Sequence, residues 1–275
     1  MPNYSFGAKQ SPFDIRTFTW VPDKAGVKGG ERWLQKDIDD QHRVGICTAI
    51  SLTMRAQKHF GIKFSPDFQY LMQKRSENNW DEGSSISCAL KIGKNVGFLP
   101  QSEWTHTTVE DRKLPYQEYV KKLQAVPEDE IIRLSAIASK FKLKAYASIP
   151  VTRENLANAI DAQGALPARF VIGEEWWTVP IEPLRPPKNP ISGHAVSLTN
   201  YDGDSFRIAN SWGTGWADKG TAYFIFSQYK PTEAWGVWFA DVPKEIEQQI
   251  ENRAMIIGKI MDLLQQIIVL ITKLK

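Results

Sequence analysis

The sequence predicts an α+β protein of two lobes with a cleft between them, followed by one further amphipathic helix. Three observations carry this. Helix-forming stretches crowd the first half of the chain. Short strand-like runs with turn residues between them fill the region after residue 165. The last thirty or so residues hold a broad apolar stripe at helical spacing.

The elements follow in order. Residues 1–40 are polar, rich in Pro and Gly and weakly periodic, which predicts an extended segment. "CTAISLTMRAQKHF" from Cys47 has few strand formers and stops at Gly61, the pattern of a helix with a glycine end. "SPDFQYLMQKRSEN" opens with Ser65 as N-cap and Pro66 at the first helical position. "SSISCALKIGKNVG" predicts a third helix, and "PEDEIIRLSAIASKF" and "TRENLANAIDAQG" two more, with "KLKAYASI" alternating like a strand between them. "LPARFVI", "HAVSLTNY", "SFRIAN", "TAYFIF" and "WGVWFADV" predict strands. Asp202-Gly203 and the glycines from Gly213 to Gly220 supply turns. "VPIEPLRPPKNPISG" carries five prolines and predicts a stiff surface loop just before His194.

In the tail, Ile250, Ile257, Leu264 and Ile271 recur every seven residues. Ala254, Met261 and Ile268 fall at the companion positions, and Ile260, Ile267 and Leu274 widen the face. Asp262, Gln265 and Gln266 interrupt it, so it is too short and too polar for a membrane span. A face this wide has to be buried. The expectation is a coiled-coil-like homo-oligomer or a larger assembly formed through residues 243–275; packing back on the chain's own domain is the plain alternative. The organisation read from sequence is therefore 1–40 extended, 41–242 a catalytic domain, and 243–275 an amphipathic helix.

Composition narrows the function. The 275 residues carry a net charge of +3, too weak a basic field to argue for nucleic acid. No apolar run follows a basic start, so a signal peptide is not expected, and the default compartment is the cytoplasm or a particle. Two cysteines fit free thiols in a reducing compartment better than a disulfide scaffold, although one Cys47–Cys88 bridge stays open. His42, His59, His106 and His194 lack paired ligand spacing, and no phosphate-cradling glycine loop is present, so neither metal nor cofactor is expected.

The chemistry gathers around Cys47. A thiol at a helix N-terminus feels the positive end of the helix dipole, which favours the thiolate. A lone His194 follows in "ISGHAVSLTNY" and Asn210 in "RIANSWGTGW". The Cys-to-His separation lies in the range of about 130–150 residues found in one group of thiol enzymes. Taken singly, each residue has an ordinary role: Cys47 a buried core thiol, Gln41 a loop residue, His194 a satisfied core histidine, Asn210 a turn cap, Trp212 and Trp216 core aromatics.

Four blocks in order join them. "DDQHRVGIC", "EGSSISCAL", "SGHAVSLTNYD" and "NSWGTGWADKG" resemble the papain-like cysteine peptidases, over about Phe13 to Val242. The resemblance implies a papain-like two-lobe fold, with a helical N-terminal lobe and an antiparallel β-barrel-like C-terminal lobe. It implies Cys47 as nucleophile, His194 as its imidazolium partner and proton donor, Asn210 orienting the imidazole, and Gln41 as oxyanion donor. Trp212 would shield the Asn210–His194 bond. Gly83 and Ser84 would form the wall along a peptide substrate, Ile86 and Ser192 would help line the specificity pocket, and Gly193 would also belong to the substrate-binding residues.

The sequence departs from the family at Thr48, where a Trp is usual, and at Ser84, where a second glycine is usual. Only 46 residues precede Cys47, so no long inhibitory pro-segment is expected, and "SPFDIRTFTW" is expected to lie across the fold. A ligase using the same acyl-enzyme, or an idle fold retained for assembly through the tail helix, remain as alternatives.

Overall fold

The computed structural model describes residues 7–12, 19, 21–22, 37–177, 183–241, 255, 259 and 262–267. The chain divides into two units, residues 1–240 and 241–275.

In the first unit, helix α1 (Cys47–Phe60) is the central element. Its residues from Cys47 through Ala56 are all buried, because it packs on the helical lobe on one side and on the sheet on the other. That is why its sequence lacks the polar face of a surface helix. It ends as read from sequence: Gly61 takes the left-handed conformation, φ 70°, and donates back to Gln57 O. Helix α2 (Pro66–Glu77) starts with the Ser65 side chain accepting from Phe68 N, and α3 (Ile86–Asn95) with Ser85 accepting from Cys88 N. Both are side-chain caps that a Ser at this position provides. Helix α4 (Tyr116–Gln124) was not foreseen. It is short and charged, and only Tyr119, Val120 and Leu123 are buried, so its apolar signal in sequence is thin. Helices α5 (Glu128–Ala138) and α6 (Arg153–Gln163) lie where expected.

Two short strands, β1 (Ala8–Lys9) and β2 (Ser84–Ser85), pair in parallel. The main sheet comprises β3 (Leu143–Ile149), β4 (Leu166–Ile172), β5 (Ser192–Asp202), β6 (Ser205–Ala209), β7 (Thr221–Ile225) and β8 (Glu233–Phe239). Its order is β3-β8-β4-β5-β6-β7 and all neighbours are antiparallel. The barrel-like lobe expected from sequence is thus an open sheet whose outer strands are β3 and β7. The last strand, β8, inserts between β3 and β4, a pairing that local patterning does not encode.

Each lobe has its own core. Phe170, Val196, Leu198, Phe206, Ile208 and Phe224 pack against α6 residues in one. Ile50, Phe68, Leu71, Tyr119, Leu123 and Leu134 pack in the other. Burial of side chains of this size contributes about 1.5–3 kcal/mol each.

In the second unit, Met255, Lys259 and residues 262–267 are helical and exposed. Of the apolar stripe, Leu264 and Ile267 are described, and both are exposed. Ile250, Ala254, Ile257, Ile260, Met261, Ile268, Ile271 and Leu274 lie outside the described residues. Among the described residues, no helix is long and apolar enough to cross a membrane.

Candidate active site

Cys47 is the first residue of α1, and the helix start carries neither a side-chain cap nor an acidic residue. The nearest carboxylate recorded at this end is Glu82, which accepts from Gly45 N at 2.7 Å, two residues before the thiol. Backbone N–H groups of Ala195, Gly7, Thr48 and Cys47 itself are turned to the sulfur. Even so, burial outweighs them: the thiol is fully enclosed and pushed up to about 11. The helix-start placement agrees with the sequence reading, whereas the thiolate expected from it is not favoured in this enclosed state. Both cysteines are free and buried, which closes the option of a Cys47–Cys88 bridge.

His194 sits on β5 opposite Phe170 of β4, also fully buried. Its Nε2 lies 2.6 Å from Asn210 Oδ1. The same oxygen accepts from the backbone N–H of Ser211 at 2.8 Å, so the atom facing the ring must be the amide oxygen, and Nε2 must carry the proton. Nδ1 is then the lone-pair nitrogen, and it has no hydrogen-bond partner among the described residues. Burial pulls the imidazole down to about 4, and the Asn210 contact offsets that only in part. At neutral pH, in this enclosed state, the Cys47 thiol and the His194 imidazole are each neutral. The Trp212 ring stacks on His194 with centroids 4.6 Å apart at 29°, and Trp176 meets the histidine edge-on at 6.1 Å. The His194–Asn210 bond is thereby kept from water.

Gln41 is buried in the loop before α1, and Ser211 holds it at two points. Gln41 N donates to Ser211 O at 2.8 Å, and Ser211 Oγ donates to Gln41 Oε1 at 2.6 Å. With the amide oxygen accepting from Ser211, the donor of the Gln41 side chain is its Nε2–H₂. Residue 39 receives Gly213 N at 3.1 Å, and Asp40 bridges Trp212, so the 39–41 and 211–213 segments run as a pair. Beneath them lies Arg112, 1% exposed. It donates to Asp39 Oδ1 (3.0 Å), to the Asp40 carbonyl (2.7 Å) and, through two nitrogens, to Asp67 (3.1 and 2.6 Å). This buried ion cluster anchors the Gln41 loop to α2.

The cleft wall is also positioned from below. Lys74, fully buried, donates to the Asp81 and Gly83 carbonyls and pairs with Glu77 at 2.8 Å. Glu77 accepts from Ser84 Oγ at 2.6 Å. The Ser84 side chain, one departure from the family pattern, is thus held by Glu77, while its backbone N–H donates to Gly7 O at 2.7 Å. Thr48, the other departure, donates to Gln73 Oε1 at 2.9 Å. Ser192 and Gly193 line a cavity of about 390 Å³ together with Arg169, Val171 and Ile191. Ile86 is buried and is not among its lining residues.

The sequence reading missed what fills the cleft. Gly7 and Ala8 are buried between the two lobes. Gly7 O accepts from Ser84 N at 2.7 Å, and Ala8 O accepts from Arg169 Nε at 2.8 Å. A Cβ on Gly7 would collide with the Gly45 carbonyl, one on Gly83 with the Gly7 carbonyl, and one on Gly193 with the Ala8 carbonyl. The stretch expected to lie across the fold, 11–20, is described only at 11, 12 and 19; it is residues 7–11, just before and into it, that lie in the cleft. No local signal marks "GAKQ" for this; the match is made by glycines distant in sequence. Arg169 and Ser211 were missed for the same reason.

No family model and no curated protein matches the chain. Solved structures do. Xylellain, a cysteine protease from Xylella fastidiosa, superposes with a TM-score of 0.74 at 21% identity, over 87% of this chain and 97% of that one. Digestive procathepsin L 3 of Tenebrio molitor larval midgut gives 0.55 at 17% identity, over 73% and 66%. The Carica candamarcensis cysteine protease CMS1MS2, solved in complex with E-64, gives 0.52 at 17%, over 73% and 92%. The fold of this chain is that of the papain-like cysteine proteases.

Proposed function

We propose that the chain is a cysteine peptidase that works through Cys47, His194, Asn210 and Gln41. The observation that carries this is the histidine. Asn210 and Ser211 commit its Nε2, Trp212 covers it, and its bare Nδ1 sits on the strand whose next residue, Ala195, turns its N–H to the Cys47 sulfur.

Chemistry follows from these placements. His194 Nδ1 takes the thiol proton, and the sulfur attacks the scissile carbonyl. The carbonyl oxygen gains negative charge, met by Gln41 Nε2 and the uncapped N–H at the head of α1. The imidazolium returns its proton to the leaving amine, which departs with the C–N bond. Water, deprotonated by the same nitrogen, then cleaves the thioester and restores the thiol. An amide suffices at Asn210 because it needs only to orient the ring. Gly83 and Ser84 offer backbone to an extended peptide, and Ser192 and Gly193 border a side-chain subsite. Residues 7–11 have to leave before a substrate can enter. Water then reaches the pair, and the burial that holds the thiol and imidazole neutral is relieved.

The test is covalent labelling of the full chain with E-64, the inhibitor held by the Carica protease. An adduct on Cys47 and none on Cys88, abolished in His194→Ala, is expected. Absence of a Cys47 adduct, even in a Gly7→Ala chain whose cleft is opened, overturns the proposal.

A further inference from the structure

The cleft contains a polar pair that the proposed chemistry does not use. Arg169 on β4 stands directly opposite Glu233 on β8 and opposite Ala195, the neighbour of His194, on β5. Gly193 clears the space through which the guanidinium passes, since a Cβ there would strike it. Arg169 Nε donates to Ala8 O at 2.8 Å, and Nη1 donates to Thr232 Oγ1 at 2.9 Å and to the side-chain oxygen of Gln10 at 3.1 Å. The amide nitrogen of the same Gln10 points to Glu233 Oε2 at 3.5 Å. Glu233 Oε1 is buried and has no hydrogen-bond partner among the described residues.

A side chain has to accept at one atom and donate at another to answer both ends of this arrangement, as Gln10 does. A carboxylate would satisfy Arg169 and be repelled by Glu233. An ammonium or guanidinium would do the reverse. An aliphatic side chain would take from Arg169 Nη1 one of its two acceptors and offer nothing to Glu233. A carboxamide accepts from the arginine with its oxygen and donates to the glutamate with its nitrogen.

We propose that Arg169 and Glu233 form a receptor for a side-chain carboxamide. It is filled here by Gln10 of the chain's own N-terminal segment, and once that segment leaves it selects peptides that present Gln or Asn in its place. The second half rests on the peptidase reading, whereas the first does not.

The receptor is tested without turnover, by amide hydrogen exchange of residues 7–10 in the full chain. Gln10→Leu and Gln10→Glu are each expected to lower protection about tenfold, the loss of a charge-assisted contact at a partly exposed site. Arg169→Met lowers it further, because the Ala8 contact goes as well. Adding Gln10→Leu to Arg169→Met then changes protection by less than twofold, since only the long 3.5 Å contact to Glu233 is left to read the amide. Protection unchanged in Gln10→Leu, or two substitutions whose effects simply multiply, overturns the receptor.

Selection is tested on the Gly7→Ala chain with peptides differing at one residue. Gln and Asn are expected to exceed Leu, Glu and Lys at least tenfold in kcat/KM at one subsite, with the preference lost in Glu233→Leu. A flat profile overturns selection. Cleavage of no peptide at all overturns the peptidase reading and selection with it, while the exchange result still decides the receptor.

Discussion

Replacing Gly7 by alanine should expose the site. The added Cβ would overlap the backbone carbonyl of Gly45, which has no flexible end to move aside, so the segment has to lift. Lifting forfeits the Ser84 N–H contact to Gly7 O and the Arg169 contact to Ala8 O, together on the order of 2–4 kcal/mol. The consequence at Cys47 follows from its pKa, raised from 9.0 to about 11 chiefly by burial. Returning to the ordinary value multiplies the thiolate fraction near neutral pH by about 100, because each pKa unit is tenfold. Losing the Gly7 N–H from the sulfur works against this, but it is a smaller influence than burial. The assay is alkylation by iodoacetamide at pH 7.5, with the modified residue located by mass spectrometry. Cys47 should react at least 100-fold faster in the variant. Cys88, pushed up to about 12 by burial and by the Glu77 charge, should be unaffected. Less than threefold acceleration at Cys47, or equal acceleration at both thiols, would refute the reasoning; the latter would mean general loosening.

Other consequences can be checked separately. Ser211→Ala frees the Gln41 amide oxygen and should lower kcat about tenfold with KM little changed, read by steady-state peptide hydrolysis in the Gly7→Ala background. Arg112→Met leaves the Asp67 and Asp39 carboxylates buried without their cation, and should cost about 3–5 kcal/mol in urea unfolding. His194 has a folded pKa of about 4, below its ordinary 6.5. Its stabilising contribution is therefore complete above pH 6.5 and is lost as the pH falls toward 4, by about 3 kcal/mol in all. Urea unfolding of the native chain at pH 7 and pH 4 should show that excess loss relative to His194→Phe, and parallel pH profiles would contradict it. The seven-residue repeat of the tail predicts self-association through 243–275. Light scattering should report a higher mass per chain for the whole protein than for one ending at Pro243, and two monomers would sink the idea.

The local elements were legible because their causes are local. Ser65 caps α2, Gly61 ends α1, alternation marks β3, and short strand-forming runs set off by turn residues mark the strands after residue 165; each needs only neighbours a few residues away. The blocks around Cys47, His194 and Asn210 were legible because they bring an uncommon set of residue types together in a recognisable order, and the fold places His194 against Asn210 and under Trp212. Tertiary structure decided the rest. The insertion of β8 between β3 and β4 and the open sheet depend on pairing between residues about ninety apart. The pinning of Gln41 by Ser211 spans 170 positions, and that of its loop by Arg112 more than seventy. The protonation of Cys47 was misjudged for the same reason. A helix start argues for a thiolate, but how much water reaches the sulfur depends on Gly7, forty residues away in sequence and brought to it by backbone contacts that the absence of a Cβ at 7, 83 and 193 permits. Side-chain identity sets what a residue can do, but burial and partners set what state it is in, and those are properties of the packed chain.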